Sequence, residues 1–269
     1  IIGGGPAAIS VALELANTKH SVWILESGGV TDEPASREMN VGENVGLPYF
    51  DLDKTRHRVF GGSSTRWAGW CRPLDPMDLE KKDWVPHSGW PISYDDLEEY
   101  FPRAAELCQI PNDRFRESDH DTIPELYRSP FVGGDVDVAI WQASPPTKFG
   151  TVYRDALESA SNITVAIHAT ATEFLTDESG QRAVGARVAS AAGTTFEVDA
   201  GTVVLAAGSI ESARVLLASR GAHPDGLGNN HGLVGRYFAE HPQLVTGHIA
   251  QGIDQGRLPV HVQPGEDFL

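Results

Sequence analysis

The chain has little cysteine, little positive charge and no long apolar run. Among its 269 residues there are two cysteines, Cys71 and Cys108. Two are too few for a disulfide framework, and they do not form a Cys-x-x-Cys metal pair. Both read as buried thiols. No apolar stretch is long enough to span a bilayer. Twenty-one Lys and Arg stand against 37 Asp and Glu, for a formal net charge of −16. The basic residues do not cluster along the sequence, and a basic stripe is what neutralising phosphates requires. Neither nucleic acid nor an anionic membrane is therefore an expected partner. Asp119-His120-Asp121 offers adjacent metal-ligand types without a third partner, so a solvated turn is expected and no metal. What is present is ordinary for a soluble protein: 41% hydrophobic residues, with length for one large domain or two smaller ones. Residue 1 falls inside an apolar strand and Gln263–Leu269 has no closing element, so continuation is expected at both ends. A targeting segment would lie upstream, which leaves localisation unread, with the cytoplasm the default.

The strongest local signal is at the start. Ile1-Ile2 runs into Gly3-Gly4-Gly5-Pro6-Ala7-Ala8, and Val22-Trp23-Ile24-Leu25 ends in Glu26-Ser27-Gly28-Gly29. This reads as strand, phosphate turn, helix and second strand ending in an acid. Gly3 gives the tight turn, Gly5 lets backbone approach a pyrophosphate, and Ala8 lets the helix pack close to the sheet. Pro6 suits a first helical position, whose neighbouring N–H groups face an anion. Glu26, roughly 20 residues on, suits ribose hydroxyls and disfavours a 2′-phosphate. A tight turn that binds nothing is the alternative, and the flanking strands and the acid's distance weigh against it.

Further along, Ala8, Ile9, Ala12, Leu13, Leu15 and Ala16 mark a buried helix, and residues 30–55 read as loop and lid. Arg56-His57-Arg58-Val59-Phe60 leads into a second glycine turn, Gly61-Gly62-Ser63-Ser64, whose amides and hydroxyls suit an anion. Ser93 and Asp96 form a capping-box pattern ahead of a helix carrying Leu97, Tyr100, Phe101, Ala104 and Leu107 on one face. Residues 201–208 read as a buried strand ending in Ala206-Ala207-Gly208, and Ser209 as the cap of a helix with Ile210, Ala213, Leu216 and Leu217 inward. Such a strand end is where an open α/β sheet places its ligand. Asn162-Ile163-Thr164 matches a glycosylation sequon, but a turn into a strand is expected.

These landmarks together resemble the glucose-methanol-choline (GMC) oxidoreductases, flavoenzymes that oxidise alcohols. The resemblance rests on Gly3–Ala8, Leu25–Gly29, Gly61–Ser64, Leu205–Ser212 and Gly232–Pro242, in family order over nearly the whole chain. Ser64–Trp67, Trp90–Leu97 and Ser144–Gly150 look more like the pyranose-oxidase and bacterial glycoside-oxidase branch.

The resemblance implies an α/β fold: a Rossmann-like FAD-binding domain, residues 1–75 and 150–245, interleaved with a smaller α+β substrate domain, residues 76–149 and 246–269. It implies FAD with its pyrophosphate at Gly3, Gly5, Pro6, Ala7 and Ala8, its ribose on Glu26 beside Ser27, and its adenine near Ala171. The isoalloxazine ring would lie beside Gly61, Gly62, Ser63, Ser64, Arg66, Trp67, Ala68 and Gly69, with Ala207 and Gly208 completing the site. In pyranose oxidase the position matching Arg66 is a histidine bonded covalently to flavin. Arginine cannot form that link, so a non-covalent flavin is expected, with Arg66 near flavin oxygens or paired with a surface acid. The family's proton-accepting His and its His or Asn partner match no residue here and are expected beyond Leu269; His241 belongs to a Glu-His-Pro landmark. The implied partners are an alcohol or sugar substrate, oxygen or a quinone as acceptor, and a possible second copy of the chain. Trp67, Trp70, Trp84, Trp90 and Trp141 could stack on a sugar, but core packing is the expected role. A nicotinamide dehydrogenase and a non-catalytic flavin module are the competing functions. The first gives residues 61–69 and 205–212 no role. The deciding expectation is that the stretches near residues 3, 62 and 207 converge.

Overall fold

The computed structural model describes residues 1–111, 115, 136–240 and 260–264. Contacts divide the chain into two units, Ile1–Arg66 with Lys148–Pro242, and Trp67–Thr147 with Gln243–Leu269. In chain order the elements begin α1 (Pro6–Leu15), β1 (Val22–Leu25), α2 (Pro34–Glu38), α3 (Leu52–Thr55) and a 3-10 turn at Gly62–Thr65. They continue with β2 (Trp70–Cys71), α4 (Pro76–Leu79), α5 (Asp95–Glu98), α6 (Phe101–Cys108), β3 (Val136–Ile140) and β4 (Gln142–Ala143). Then follow α7 (Phe149–Val152), α8 (Arg154–Ser159), β5 (Ile163–Ala166), β6 (Ala169–Thr176), β7 (Ala183–Ser190), β8 (Thr195–Asp199), α9 (Ser209–Ala218) and β9 (Val260–Pro264).

In the first unit, four apolar segments lie side by side and parallel. β1 pairs with β5 from Val22↔Ile163 to Leu25↔Ala166, and Ile2 bridges both Leu25 and Leu205. The ladder is closed by Ile2 N–H to Val204 C=O at 2.8 Å, Ala206 N–H to Ile2 C=O at 2.8 Å, and Gly3 N–H to Leu25 C=O at 2.9 Å. The expected strand at 201–208 is thus reduced to a bridge at Leu205, because only three or four residues run beside Ile2 before Gly208 turns away at φ +78°. Pro6 stands in the first turn of α1, which buries Ala8, Ile9 and Ala12. That stripe of one large and two small side chains lets the helix approach the sheet.

β6, β7 and β8 form an antiparallel sheet. Phe174, Ala186 and Val188 join Ile2, Leu25, Ala169 and Val215 in one core cluster. A fully buried valine such as Val188, at 0% exposure, contributes roughly 1.5–3 kcal/mol. α9 begins at Ser209 with Gly208 as its N-cap, so the serine is the first helical residue and not the cap. Its buried residue is Val215, and Ser219 Oγ, which donates to Val215 C=O, accepts from Phe174 N–H at 2.8 Å. The side chain of Asn162, half-buried, is engaged at the turn into β5: it donates to Leu15 C=O at 2.9 Å and His20 C=O at 2.7 Å and accepts from Asn17 N–H at 2.8 Å.

In the second unit, β2 pairs antiparallel with β4 and β3 with β9. The Ser93–Asp96 box forms, with Ser93 N–H donating to Asp96 at 2.8 Å and Asp96 N–H to Ser93 Oγ at 3.3 Å. The single helix expected after it is broken at Tyr100, since Pro102 in the first turn of α6 has no N–H to continue α5. The break re-aims the face, burying Ala105 and Leu107 and leaving Ala104 exposed. Trp84 and Trp90 are 60% and 64% exposed, not core, because residues 80–94 run through turns with no helix or strand to cover them. Cys71 and Cys108 are half-buried. Asp119, His120, Asp121 and His241 lie outside the described residues. Among the described residues no helix is long and apolar enough to cross a membrane, and no cluster of His, Cys, Asp and Glu could hold a metal ion.

Candidate functional site

Two adjoining cavities of the first unit meet at the carboxyl ends of the parallel segments. The larger, about 440 Å³, is lined by Gly3–Ala7, Glu26 and Ser27, Arg56–Arg58, Gly62 and Ser63, and Ala206–Glu211. The second, about 350 Å³, runs from Gly3, Ser27, Arg58, Ala207 and Glu211 past Ala171 to Arg214. Those five residues line both spaces, which adjoin along them as a two-part slot. Stretches about sixty and two hundred residues apart therefore line one space, the position at which an α/β sheet takes its ligand.

The glycines explain how backbone forms the wall. Gly3 sits at φ +100°, and a Cβ there would stand 2.5 Å from Ala206 O. The close approach of residues 3 and 206 therefore requires glycine. Gly5 differs: its φ of −81° suits any residue, and a Cβ would meet nothing within 4 Å. The space beside it is the cavity. The first-turn N–H groups of α1 open toward that space, where an anion is stabilised.

Glu26 is 5% exposed. Its Oε2 accepts from Gly4 N–H and its Oε1 from Gly28 N–H, each at 2.7 Å. Burial pushes the carboxyl above its ordinary range, against the pull of those two amides and of Arg58. Ser27 Oγ also donates to Oε1 at 3.5 Å, and the Glu26 side chain lines the larger cavity. Arg58, missed by sequence reasoning, organises the wall. Its Nε donates to Asn40 Oδ1 at 2.7 Å, one terminal nitrogen to Ser27 Oγ at 2.8 Å, and the other to Glu211 at 2.7 Å. Glu211 also pairs with Arg56 at 3.2 Å and Arg214 at 2.6 Å. The chain that shows no basic cluster along its sequence thus gathers three arginines around one carboxylate. The available signal was the Arg-x-Arg ahead of the Gly-Gly-Ser turn, since alternate residues of an extended segment share a side. Asn40, Tyr49 and Thr55, from the segment read as loop and lid, also line the larger cavity.

Of the sequence-predicted residues, Gly3, Gly5, Pro6, Ala7, Glu26, Ser27, Gly62, Ser63, Ala207 and Gly208 line the larger cavity and Ala171 the smaller. Ala8, Gly61 and Ser64 are buried beneath the wall. Ser64 Oγ donates to Gly61 C=O at 2.6 Å and accepts from Phe149 N–H at 3.1 Å, which fixes the second glycine turn. Arg66 does not line either cavity; its exposed guanidinium pairs with Asp32, which also takes Arg37. Trp67, Ala68 and Gly69 belong to the second unit.

Fitness for a dinucleotide is testable on the wall itself. The open side of Gly5 and the α1 amides suit a diphosphate, and the Glu26 carboxyl on the cavity wall suits ribose hydroxyls. Arg56, which lines the larger cavity, has its Nε buried without a hydrogen-bond partner among the described residues, whereas Glu211 Oε1 is held in its 3.2 Å ion pair with Arg56. Polar groups buried in that state are satisfied by a polar ligand or by water.

Parallel segments, a glycine-walled slot at their carboxyl ends and an acid after the second strand are the arrangement in which open α/β sheets take nucleotides. Residues 147–243 match the family described as GMC oxidoreductase. It is 24% identical over 300 residues to 2-methyl-1,2-propanediol dehydrogenase of Mycolicibacterium austroafricanum, covering 90% of this chain and 54% of the relative. The chain thus spans about half the length of that curated relative. In fold it is similar to a pyridoxine 4-oxidase from Mesorbium loti, with TM-score 0.51, 18% identity and coverage of 81% of this chain and 50% of that one. It is also similar to a fungal aryl-alcohol oxidase, with TM-score 0.52, 16% identity and coverage of 81% and 46%.

Proposed function

We propose that this chain binds FAD without a covalent link and forms the cofactor-binding part of an oxidoreductase that oxidises a CH–OH group. The supporting observation is that the turns at Gly3–Ala7 and Gly62–Ser63 and the Ala206–Gly208 stretch line one slot continuing past Ala171. A nicotinamide dehydrogenase using the first turn alone would leave the other two without a role. The match of residues 147–243 to the GMC oxidoreductase family and the similarity to a diol dehydrogenase point the same way.

Bound flavin supplies the hydride acceptor for the carbinol carbon. The chain's own groups bind and orient. The α1 amides take the diphosphate, Glu26 accepts from the ribose hydroxyls, and the face of Ala171 takes the adenine. Arg58 holds Ser27, Asn40 and Glu211 in register. Residues 76–149 and 246–269 are assigned to substrate, with a sugar or glycoside as the preferred class on the branch resemblance, and oxygen or a quinone as the acceptor. No residue of this chain is assigned the proton-accepting role.

The test is spectroscopic. Purified protein should show the visible band of flavin, lose its colour to the supernatant on acid precipitation, and bleach anaerobically with an alcohol from a panel of sugars, glycosides and diols. Colour that stays with the precipitate would overturn the non-covalent link. A colourless protein protected thermally by NAD would overturn the cofactor. Bound flavin that no alcohol reduces, in the full-length protein, would leave a binding module and not an enzyme.

A further inference from the structure

Arg56, Arg58 and Arg214 share Glu211, and their donors are not equally spent. Arg58 gives one hydrogen bond from each nitrogen to the wall, and the Arg214 side chain is mostly in solvent. Arg56 is held differently. Its backbone is extended, at φ −133° and ψ 149°. Asn40, 1% exposed, donates from Nδ2 to Arg56 C=O at 3.2 Å, and its own C=O accepts from a terminal nitrogen of Arg56 at 3.0 Å. The same nitrogen reaches Glu211 Oε1 at 3.2 Å. Backbone and guanidinium are thus both fixed, while Nε–H is buried and meets no acceptor among the described residues. Arg72 Nε and Arg154 Nε share that state but line neither part of the slot; Arg56 lines the larger part together with Gly3–Ala7 at the start of α1. Burial pulls the Arg56 guanidinium below its ordinary range, against the attraction of Glu211. The other acids on that cavity are engaged elsewhere, Glu26 by the amides of Gly4 and Gly28 and Glu240 by the Tyr49 hydroxyl at 2.9 Å.

We propose that Arg56 binds the cofactor's diphosphate, its Nε–H donating to a charged oxygen of the group that the α1 amides also hold. The assignment rests on the FAD reading above and adds to it a residue that the glycine turns do not supply. An N–H on a permanently charged guanidinium favours an anionic oxygen, because a charge-assisted bond is about twice as strong as a neutral one. In FAD only the diphosphate carries such oxygens; the flavin ring, the ribityl chain and the adenosine are neutral. The contact therefore discriminates within the ligand, favouring ADP over adenosine. It also costs little ordering, since Asn40 and Glu211 hold the side chain before any ligand arrives.

The experiment titrates the deflavinated full-length protein, Arg56→Gln and Arg56→Lys with FAD, ADP and adenosine by calorimetry at low and high salt, with urea unfolding alongside. Arg56→Gln should lose roughly ten- to 150-fold in affinity for FAD and for ADP, the range of a hydrogen bond to a charged group, with adenosine binding unchanged. Its ADP binding should also depend less on salt. Arg56→Lys keeps the charge without the arginine fork, so it should recover the salt dependence and part of the affinity. Unchanged ADP affinity in Arg56→Gln, in a variant that still takes FAD, would overturn this assignment and leave the FAD reading standing. FAD, ADP and adenosine affinities that fall together with the urea midpoint would make Arg56 a brace of the wall and not a ligand contact. A parent that binds neither FAD nor ADP would overturn the FAD reading and this assignment with it. Should Arg56→Gln not fold, the Arg56 Nε–H resonance of the parent, identified by its absence from Arg56→Lys, should shift on addition of ADP and not of adenosine; a resonance that ADP leaves unmoved would overturn the assignment.

Discussion

Gly3 and Gly5 stand two residues apart in one turn, yet the structure assigns alanine opposite consequences at them. At Gly5, φ is −81° and ψ −176°, and a methyl meets nothing within 4 Å. Gly5→Ala therefore costs the fold nothing and removes freedom from the unfolded chain, a gain of about 0.4–1 kcal/mol. The same methyl occupies the space assigned to the diphosphate. Relieving an inserted methyl costs about 1–3 kcal/mol, or roughly five- to 150-fold in FAD affinity. At Gly3, φ is +100° and the methyl stands 2.5 Å from Ala206 O. Backbone strain of about 1–3 kcal/mol adds to about 1–3 kcal/mol of overpacking. Gly3→Ala should then lose about 2–6 kcal/mol, a large share of the roughly 5–15 kcal/mol available to a folded chain. The assays are urea unfolding of the deflavinated proteins and titration of each with FAD, followed by flavin fluorescence. Gly5→Ala folding normally and binding FAD as tightly as the parent would refute the assignment of the cavity. Gly3→Ala as stable as the parent would refute the packing of residues 3 and 206.

Glu211→Ala should destabilise the chain by about 2–3 kcal/mol in urea unfolding, because it strips the counter-charge from Arg58, whose side chain is 8% exposed, while Asn40 and Ser27 remain. Arg214→Ala, at a side chain 58% exposed, should cost less than about 0.5 kcal/mol, and equal losses in the two variants would contradict the burial of the cluster. For Glu26 the raised carboxyl fixes the sign: its contribution to stability is full below the ordinary carboxyl range and is lost as pH rises through the folded value. As pH rises above the ordinary carboxyl range the parent should therefore lose stability relative to Glu26→Gln, and a difference that stays flat or moves the other way would show that the folded carboxyl is not raised. Arg66→Ala should leave flavin content and stability within about 0.5 kcal/mol of the parent, since its partner Asp32 keeps Arg37; loss of flavin in that variant would place Arg66 in the site.

What the sequence made legible is what local chemistry decides. The positive φ of Gly3, Pro6 in the first turn, the Ala8, Ile9 and Ala12 stripe and the Ser93–Asp96 box each follow from neighbours within a few residues. The parallel array was legible from its apolar runs, but the extent of its fourth member was not. Residues 203–206 read as a strand on composition alone, whereas pairing length depends on how far Ile2 extends before Gly3 turns. The exposed Trp84 and Trp90 were misread because aromatic content reports hydrophobicity, not whether a partner surface reaches the segment.

The arginine cluster was illegible for a different reason, and it bears on how the slot is held. Arg58 and Glu211 are 153 residues apart, so no period or spacing relates them; only the sheet brings α9 over the segment that precedes the second glycine turn. Once there, Arg58 links three otherwise separate parts of the wall: Ser27 after β1, Asn40 in the following loop, and Glu211 in α9. Ser27 adjoins Glu26, whose own oxygens hold the amides of Gly4 and Gly28. The acid read from sequence as a ribose contact is therefore also the brace of the turn beside it. One carboxylate thus serves the fold and lines the cavity at once. Removing Arg58 with Glu211 in place would leave that carboxylate to Arg56 and Arg214 while freeing Ser27 and Asn40. The slot should then loosen at its floor while the α1 amides keep their place, and ligand affinity should fall more steeply than stability.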